Sequence, residues 1–355
     1  MSGVNEAVKE QIAAAARALE RGALVGFPTE TVYGLGADAE NLAAVAAIYA
    51  AKGRPQDHPV IVHLAPGAAL DYWATDIPAE AHALAAAFWP GPLTMILTRA
   101  ARIPAAVSGG QDTLGLRCPS HPVAMALLQS FKDGRGGIAA PSANKFGNVS
   151  PTTAEHVRDE FRAECAAGGS IAMVLDGGAS AVGIESTIVD LSRLASHGPV
   201  LLRPGSITAE AIAAVIGQLP AAPDAAAPRA SGTLASHYAP HTPVALQDGA
   251  TLSITLGQLH LAGCKVALIH YSDVVARAAH AAHALHATTR LPASADGFAH
   301  ALYASLRAMD TSGADLILVE APPCDPAWVG VNDRLRRAAH GSSGVIHGLL
   351  NQATP

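Results

Sequence analysis

Lys52 and Arg54, in Ala51-Lys52-Gly53-Arg54-Pro55, are the first residues whose types and spacing suggest chemistry. The chain of 355 residues has five lysines, Lys9, Lys52, Lys132, Lys145 and Lys265, so a lysine two positions from an arginine is informative. Two cations around a glycine just past a helix end can converge on one polyphosphate, Arg54 as a planar fork and Lys52 as a point charge. The same pair would also oppose the negative end of the helix dipole. Thr113-Leu114-Gly115-Leu116-Arg117 alternates, with Thr113, Gly115 and Arg117 on one face and the leucines toward a core. A hydroxyl and an arginine beside a glycine leave room for a carboxylate-bearing ligand. Pro141-Ser142-Ala143-Asn144-Lys145-Phe146-Gly147-Asn148-Val149-Ser150-Pro151 follows an apolar strand, and strand exits of α/β sheets carry ligands. Its hydroxyls, amides and cation suit phosphate or ribose, and the same residues would serve a turn that caps the next helix. Gly183-Ile184-Glu185-Ser186-Thr187 and Leu202-Arg203-Pro204-Gly205 also put polar groups at strand edges, where a satisfied surface group is the plainer reading.

Other signals exclude familiar chemistries. Gly34-Leu35-Gly36 lacks the third glycine of a dinucleotide fingerprint, and the chain has no G-x-x-x-x-G-K-[ST] and no G-x-S-x-G. His280, His283 and His286 fall at i, i+3, i+6 without an acidic or cysteine partner, which reads as an exposed helical face rather than a metal site. His237 and His241 flank Tyr238-Ala239-Pro240 in what reads as a turn. Cys118, Cys165, Cys264 and Cys324 lie far apart with no C-x-x-C pair, which fits neither a zinc knuckle nor a disulfide framework and suits a reducing cytoplasm.

These residues need a scaffold. Half the chain is hydrophobic, enough to bury a large core and to exclude disorder as the main state. A net charge of -6 gives no global attraction to polyanions, so any nucleic-acid contact needs a local patch. Charges interrupt Val4 to Leu24, which argues against a signal peptide, and no apolar window reaches the roughly 20 residues that span a bilayer. Periodicity predicts helix Glu6–Glu20, strand Ala23–Phe27 running into the turn Pro28-Thr29-Glu30-Thr31, helix Glu40–Ala51, and strand Val60–Leu64 with Ile61 and His63 on one side. Further strands are expected at Leu93–Thr98, Thr113–Arg117, Gly137–Ala140, Ala172–Leu175, Thr187–Leu191 and Pro199–Arg203, with helices at Ala79–Phe88, Pro122–Phe131 and Ala154–Glu164. This is a mixed α/β domain closing near Gly205. Ala209–Gly217 reads as helix and Pro220–Ser231 as linker. Beyond Pro243 the pattern resets: strand Lys265–His270, helix Asp273–His286, helix Ala295–Met309 capped by Ser294, strand Asp315–Glu320 and helix Asn332–Ala339.

Phe27-Pro28-Thr29-Glu30-Thr31-Val32-Tyr33-Gly34-Leu35, Lys52-Gly53-Arg54-Pro55, Trp89-Pro90-Gly91-Pro92-Leu93-Thr94, Thr113 to Arg117, Pro141 to Asn144, Val149-Ser150-Pro151-Thr152, Glu185-Ser186-Thr187 and Leu202 to Gly205 occur in order over Ala23 to Gly205. Together they resemble the threonylcarbamoyl-AMP synthase family in its long two-domain form. Ser236-His237-Tyr238-Ala239-Pro240 resembles that family's interdomain segment, and Val331-Asn332-Asp333-Arg334-Leu335 its C-terminal domain. The resemblance implies that 1–207 form a YrdC-like catalytic domain with an open twisted mixed sheet and helices. Residues 208–242 would be a linker covering the active site, and 243–355 a small Rossmann-like three-layer α/β domain.

The implied activity condenses L-threonine, bicarbonate and ATP into threonylcarbamoyl-AMP and pyrophosphate, feeding a downstream tRNA threonylcarbamoyl transferase complex, with only weak or transient contact to tRNA, no membrane, and a cytoplasmic location. By resemblance, Lys52 and Arg54 act on the triphosphate and the transition state. ATP would also meet Thr113, Ser142, Asn144, Ser150, Arg203 and Tyr238. Threonine would be held by Thr31, His63, Arg117, the backbone at Ala140, and Ser186. Mg²⁺ would ride on ATP rather than on a carboxylate cage. The alternatives are a non-catalytic double-stranded RNA-binding protein of the same fold and a related carbamoyl-adenylate-forming enzyme with another carbamoyl source.

Overall fold

Short apolar runs between glycine and proline turns become strands in the computed structural model, which describes residues 6–276, 285–342 and 344–352. The chain divides into two compact units: residues up to Phe146 with Ser150–Thr233, and Gly147–Val149 with the chain from Leu234.

The first unit is built on ten strands: β1 Leu24–Phe27, β2 Gly34–Asp38, β3 Ile61–Leu64, β4 Ala74–Thr75, β5 Leu93–Arg99, β6 Thr113–Arg117, β7 Gly137–Ala139, β8 Ile171–Val174, β9 Thr187–Asp190 and β10 Val200–Arg203. They lie in the order β10-β9-β5-β6-β3-β7-β2-β1-β8, with β4 on β5. The sheet is mixed: β3 and β6 run parallel, as do β5 and β9, while β5 and β6 are antiparallel. On one face Val62, Leu64, Met95, Leu114, Leu116 and Val189 pack with Val45, Ile48, Tyr49 and Ile212 of helices Leu42–Lys52 and Ala209–Ile216. On the other, Ile12, Leu19, Leu127 and Leu128 of helices Glu6–Glu20 and Pro122–Ser130 cover Val25, Phe27 and Ile138. A smaller cluster, Ile61, Ile96, Ile188 and Leu202, is closed by Ala230 from the irregular chain. The segment read as a linker is thus tied to this unit: Arg229 donates its backbone N–H to Gln111 at 2.7 Å and its guanidinium to the Gly109 carbonyl at 3.0 Å.

The second unit has β11 Val244–Gln247, β12 Val266–His270, β13 Leu285–Arg290 and β14 Leu316–Glu320, parallel in the order β11-β14-β12-β13. Leu252, Leu256 and Leu259 of helix Gly249–Leu261 pack against Leu268, Leu316 and Leu318. The alternate residues Ala267, Ile269, Ile317 and Val319 are buried too, as expected of a parallel sheet covered on both faces. Helices Ala295–Asp310 and Val329–Ala338 provide the second cover. Ser294 caps the first of these, accepting from Gly297 N–H at 3.3 Å.

One expectation changes, and β2, β11 and helix Gly249–Leu261 are elements the periodicity does not announce. The helix expected over Asp273–His286 does not reach His286, which lies on β13 with Nε2 2.7 Å from the Ser312 carbonyl; His280 and His283 lie outside the described residues. Alternate burial over Leu285–Arg290 is a strand pattern that alanine and histidine disguise. β2 is not among the expected strands, because the glycines of Gly34-Leu35-Gly36 have weak strand preference, yet a Cβ on Gly36 would fall 2.8 Å from Ile138 and 2.9 Å from Phe27, so packing demands glycine there. Among the described residues no helix is long and apolar enough to cross a membrane.

Candidate active site

Neighbouring strands of the first unit set the polar residues side by side. Arg203 ends β10, Ser186 precedes β9, Thr94 lies in β5, Arg117 ends β6, His63 lies in β3 and Ala140 follows β7. His63 and Arg117 are register partners, so their side chains share a face.

The turn before β2 supplies the groups around Arg117. Thr29 Oγ1 donates to the Val32 carbonyl at 2.6 Å and accepts the N–H groups of Thr31 and Val32, a hydroxyl-built turn that fixes the side chains on either side. Arg117 then donates to Thr31 Oγ1 at 2.9 Å and to the Gly91 carbonyl at 3.2 Å, and its remaining nitrogen lies 2.6 Å from Glu30 Oε1. Both partners of this ion pair are buried, so removing either one strands a charge. A carboxylate does sit on Arg117, and it is the chain's own. Ala140 commits its N–H to the Ile61 carbonyl at 2.9 Å.

His63 is buried, and burial together with the Arg117 charge pushes its imidazole down to about 3. It is therefore neutral at pH 7. Because this value lies below the unfolded 6.5, folding loses about 1.4 kcal/mol per pH unit as pH falls from 6.5 toward 3. His63→Gln is expected to flatten the fall of urea-unfolding stability between pH 6.5 and 4. An unchanged pH slope would show that His63 is protonated in the native state.

Arg203 donates to the Ser186 carbonyl at 3.0 Å and to Ser186 Oγ at 3.1 Å, while Ser186 Oγ lies 2.8 Å from Thr94 Oγ1. Ser231 joins Arg203 to Arg54: its carbonyl accepts from Arg203 at 2.9 Å and its hydroxyl from Arg54 at 3.0 Å. Arg54 also bonds the Pro59 carbonyl at 2.8 Å and lies over the Phe146 ring. Lys52 is the last residue of helix Leu42–Lys52, which Asn41 caps at its start and Gly53, at φ 62°, ends. Its buried ammonium donates to the Ser142 carbonyl at 2.6 Å and to the Asn144 carbonyl. Burial, and next the Arg54 charge, hold it well below the usual lysine range.

The other expected nucleotide residues are more scattered. Ser142 and Asn144 lie in the loop that holds Lys52, and Ser150 donates to Glu185 Oε1 at 2.6 Å. Thr113 begins the strand that Arg117 ends, about 13 Å along. Lys145, read as a cation of the ligand loop, instead pairs with Glu164 and bonds the Ala51 carbonyl at 2.7 Å. Tyr238 belongs to the second unit, buried at φ 60°, a conformation that costs a non-glycine residue about 1–3 kcal/mol. Glu30, Thr94, Glu185 and Ser231 were not picked out individually. Glu30, Thr94 and Glu185 lie inside the motifs that carry the family resemblance, whereas Ser231 carries no signal beyond the end of the segment that reads as linker. Among the described residues no three His, Cys, Asp or Glu side chains group as a metal site would need.

Comparisons with known proteins give the family. Residues 17–205 match the family described as Telomere recombination, and 207–340 the family described as Threonylcarbamoyl-AMP synthase, C-terminal domain. The chain is 37% identical over 350 residues to a threonylcarbamoyl-AMP synthase of Pyrococcus abyssi, covering 95% of this chain and 96% of that protein. It is 39% identical over 337 residues to one of Bacillus subtilis, covering 93% of each. It also resembles the crystal structure of P. abyssi Sua5 complexed with L-threonine, with a TM-score of 0.82 and 36% identity over 93% of this chain and 94% of that one. With both units matched and two such relatives aligned over more than nine-tenths of their length, the chain belongs to the threonylcarbamoyl-AMP synthase family.

Proposed function

We propose that the chain is an L-threonylcarbamoyladenylate synthase, a nucleotidyltransferase that condenses L-threonine, bicarbonate and ATP to threonylcarbamoyl-AMP and pyrophosphate. The observation that carries the reading is the placement of two sets of buried cations in one unit: Arg117, with Thr31 and neutral His63, and Lys52 with Arg54 and Arg203. One set suits a carboxylate and the other a polyphosphate. The relative crystallised with L-threonine supports giving that carboxylate to threonine.

In this reading the threonine carboxylate takes the Glu30 position on Arg117, and the Ala140 carbonyl and Ser186 meet the amine and hydroxyl. The amine nitrogen attacks the bicarbonate carbon, water leaves, and a carbamate forms. A carbamate oxygen then attacks the α-phosphorus, the bond to the β-phosphate oxygen breaks, and pyrophosphate departs. The chain supplies charge, orientation and dryness rather than a covalent nucleophile. Lys52 and Arg54 neutralise charge developing on the phosphates, while Arg203, Thr113, Ser142, Asn144, Ser150 and Tyr238 hold the nucleotide. In this reading Mg²⁺ enters on ATP as part of the substrate, since a hard cation with few protein ligands is commonly carried by the substrate phosphates. The product would pass to a tRNA threonylcarbamoyl transferase complex in the cytoplasm, with little direct contact to tRNA. Lys52, Arg54, Arg117 and Arg203 are all buried, so the site itself does not present the exposed row of cations that duplex RNA phosphates require, which favours the synthase reading.

Pyrophosphate release tests the reading: it is expected with all three substrates and to vanish when threonine or bicarbonate is withheld. Release without threonine, or equal release when carbamoyl phosphate replaces bicarbonate, would assign a different reaction.

A further inference from the structure

Helix Val329–Ala338 buries charges that its packing on the sheet does not require. Asp333 and Arg334 are among the most buried polar residues of the second unit, Arg334 at 0% exposure. Asp333 Oδ2 accepts from Arg334 Nη1 and from Arg337 Nε, each at 3.0 Å, and Oδ1 accepts from Arg337 Nη2 at 3.0 Å. The i, i+4 spacing gives Arg337 a two-pronged hold on the carboxylate. Both arginines then turn to the segment 234–240. Arg337 donates to the Leu234 carbonyl, and its own carbonyl, in the helix's last turn, accepts the His237 N–H at 3.4 Å. The Arg334 guanidinium lies 5.5 Å from the centre of the Tyr238 ring, which also meets the His237 ring at 4.2 Å and the Tyr303 ring at 5.7 Å. A tyrosine at φ 60° persists only where its surroundings over-determine it.

We propose that Asp333, Arg334 and Arg337 are positioning residues, a clamp by which this helix holds Tyr238 in the one conformation that serves the nucleotide. The catalytic consequence rests on the nucleotide role given to Tyr238 above; the clamp itself rests on contacts within the second unit. Asp333 fixes both guanidiniums, Arg337 ties down the start of the segment, and Arg334 supports the ring.

Chymotrypsin cleavage of the full-length protein at Tyr238-Ala239 reads the clamp without reference to activity. Arg334→Met is expected to raise that cleavage rate at least tenfold and the KM for ATP about tenfold, with the KM for threonine within twofold and kcat little changed. Arg334→Lys, which keeps a cation at the ring, should recover part of both. The double variant Tyr238→Ala/Arg334→Met should be no worse in kcat/KM for ATP than Tyr238→Ala alone, which a merely structural role would not produce. If Arg334→Met does not fold, Arg337→Ala, nearer the surface, gives the same readouts. Wild-type cleavage in the folded variant, or additive losses in the double variant, would overturn the clamp. A wild-type protein without threonine-dependent pyrophosphate release would overturn the functional reading, and the cleavage rates would still decide the clamp.

Discussion

Lys52→Ala is expected to slow pyrophosphate release by about 100-fold or more, roughly 3 kcal/mol, because its charge is needed most as the α-phosphorus becomes five-coordinate. In the free protein the ammonium rests on two backbone carbonyls, with its proton held weakly by burial and the neighbouring Arg54. An arriving triphosphate replaces that environment with negative charge and raises the proton affinity. Binding therefore takes up a proton at any pH between the free and bound values, and affinity falls as pH rises through that window. Titration of ATP calorimetrically across a series of pH values, each in two buffers of different ionisation enthalpy, should show a window of proton uptake in wild type that is absent in Lys52→Met, which fills the same space without a charge. Wild-type turnover by a folded Lys52→Ala protein would remove Lys52 from the chemistry.

Arg117→Ala is expected to raise the KM for threonine about 100-fold, the loss of a charged two-pronged contact, while the KM for ATP changes less than threefold. The variant should also unfold more easily, by about 3–5 kcal/mol, since Glu30 is left buried without its partner. Adding Glu30→Gln removes the orphaned charge, so stability should recover while the threonine defect stays. Ser142→Ala should show the opposite selectivity, weakening ATP more than threonine. Equal losses of both ligands in both single variants would show that the two subsites are misassigned.

The sequence by itself determined the elements that local physics governs. Thr113–Arg117 and Ala79–Phe88 have the expected bounds because strict alternation and an alanine-rich run between Pro78 and Trp89 leave little choice. Lys52 and Arg54 were marked by their rarity and by the glycine between them, and the resemblance gathered Arg117, Ser186 and Arg203 from separate motifs. Tertiary structure alone decided which partners these charges have. Nothing within a few residues of Arg117 announces Glu30, 87 positions earlier, and nothing near Arg54 or Arg203 announces Ser231; strand order and a folded-back loop make those contacts. Lys145 has the composition of a phosphate ligand and the position of a tether, because Glu164 reaches it first. β2 and β13 escaped notice for the same reason: glycine, alanine and histidine have weak strand preference, and only the neighbours across the sheet settle their state. Residue type limits what a side chain can do; long-range packing, which no local window contains, sets which charge it meets and how dry the meeting is.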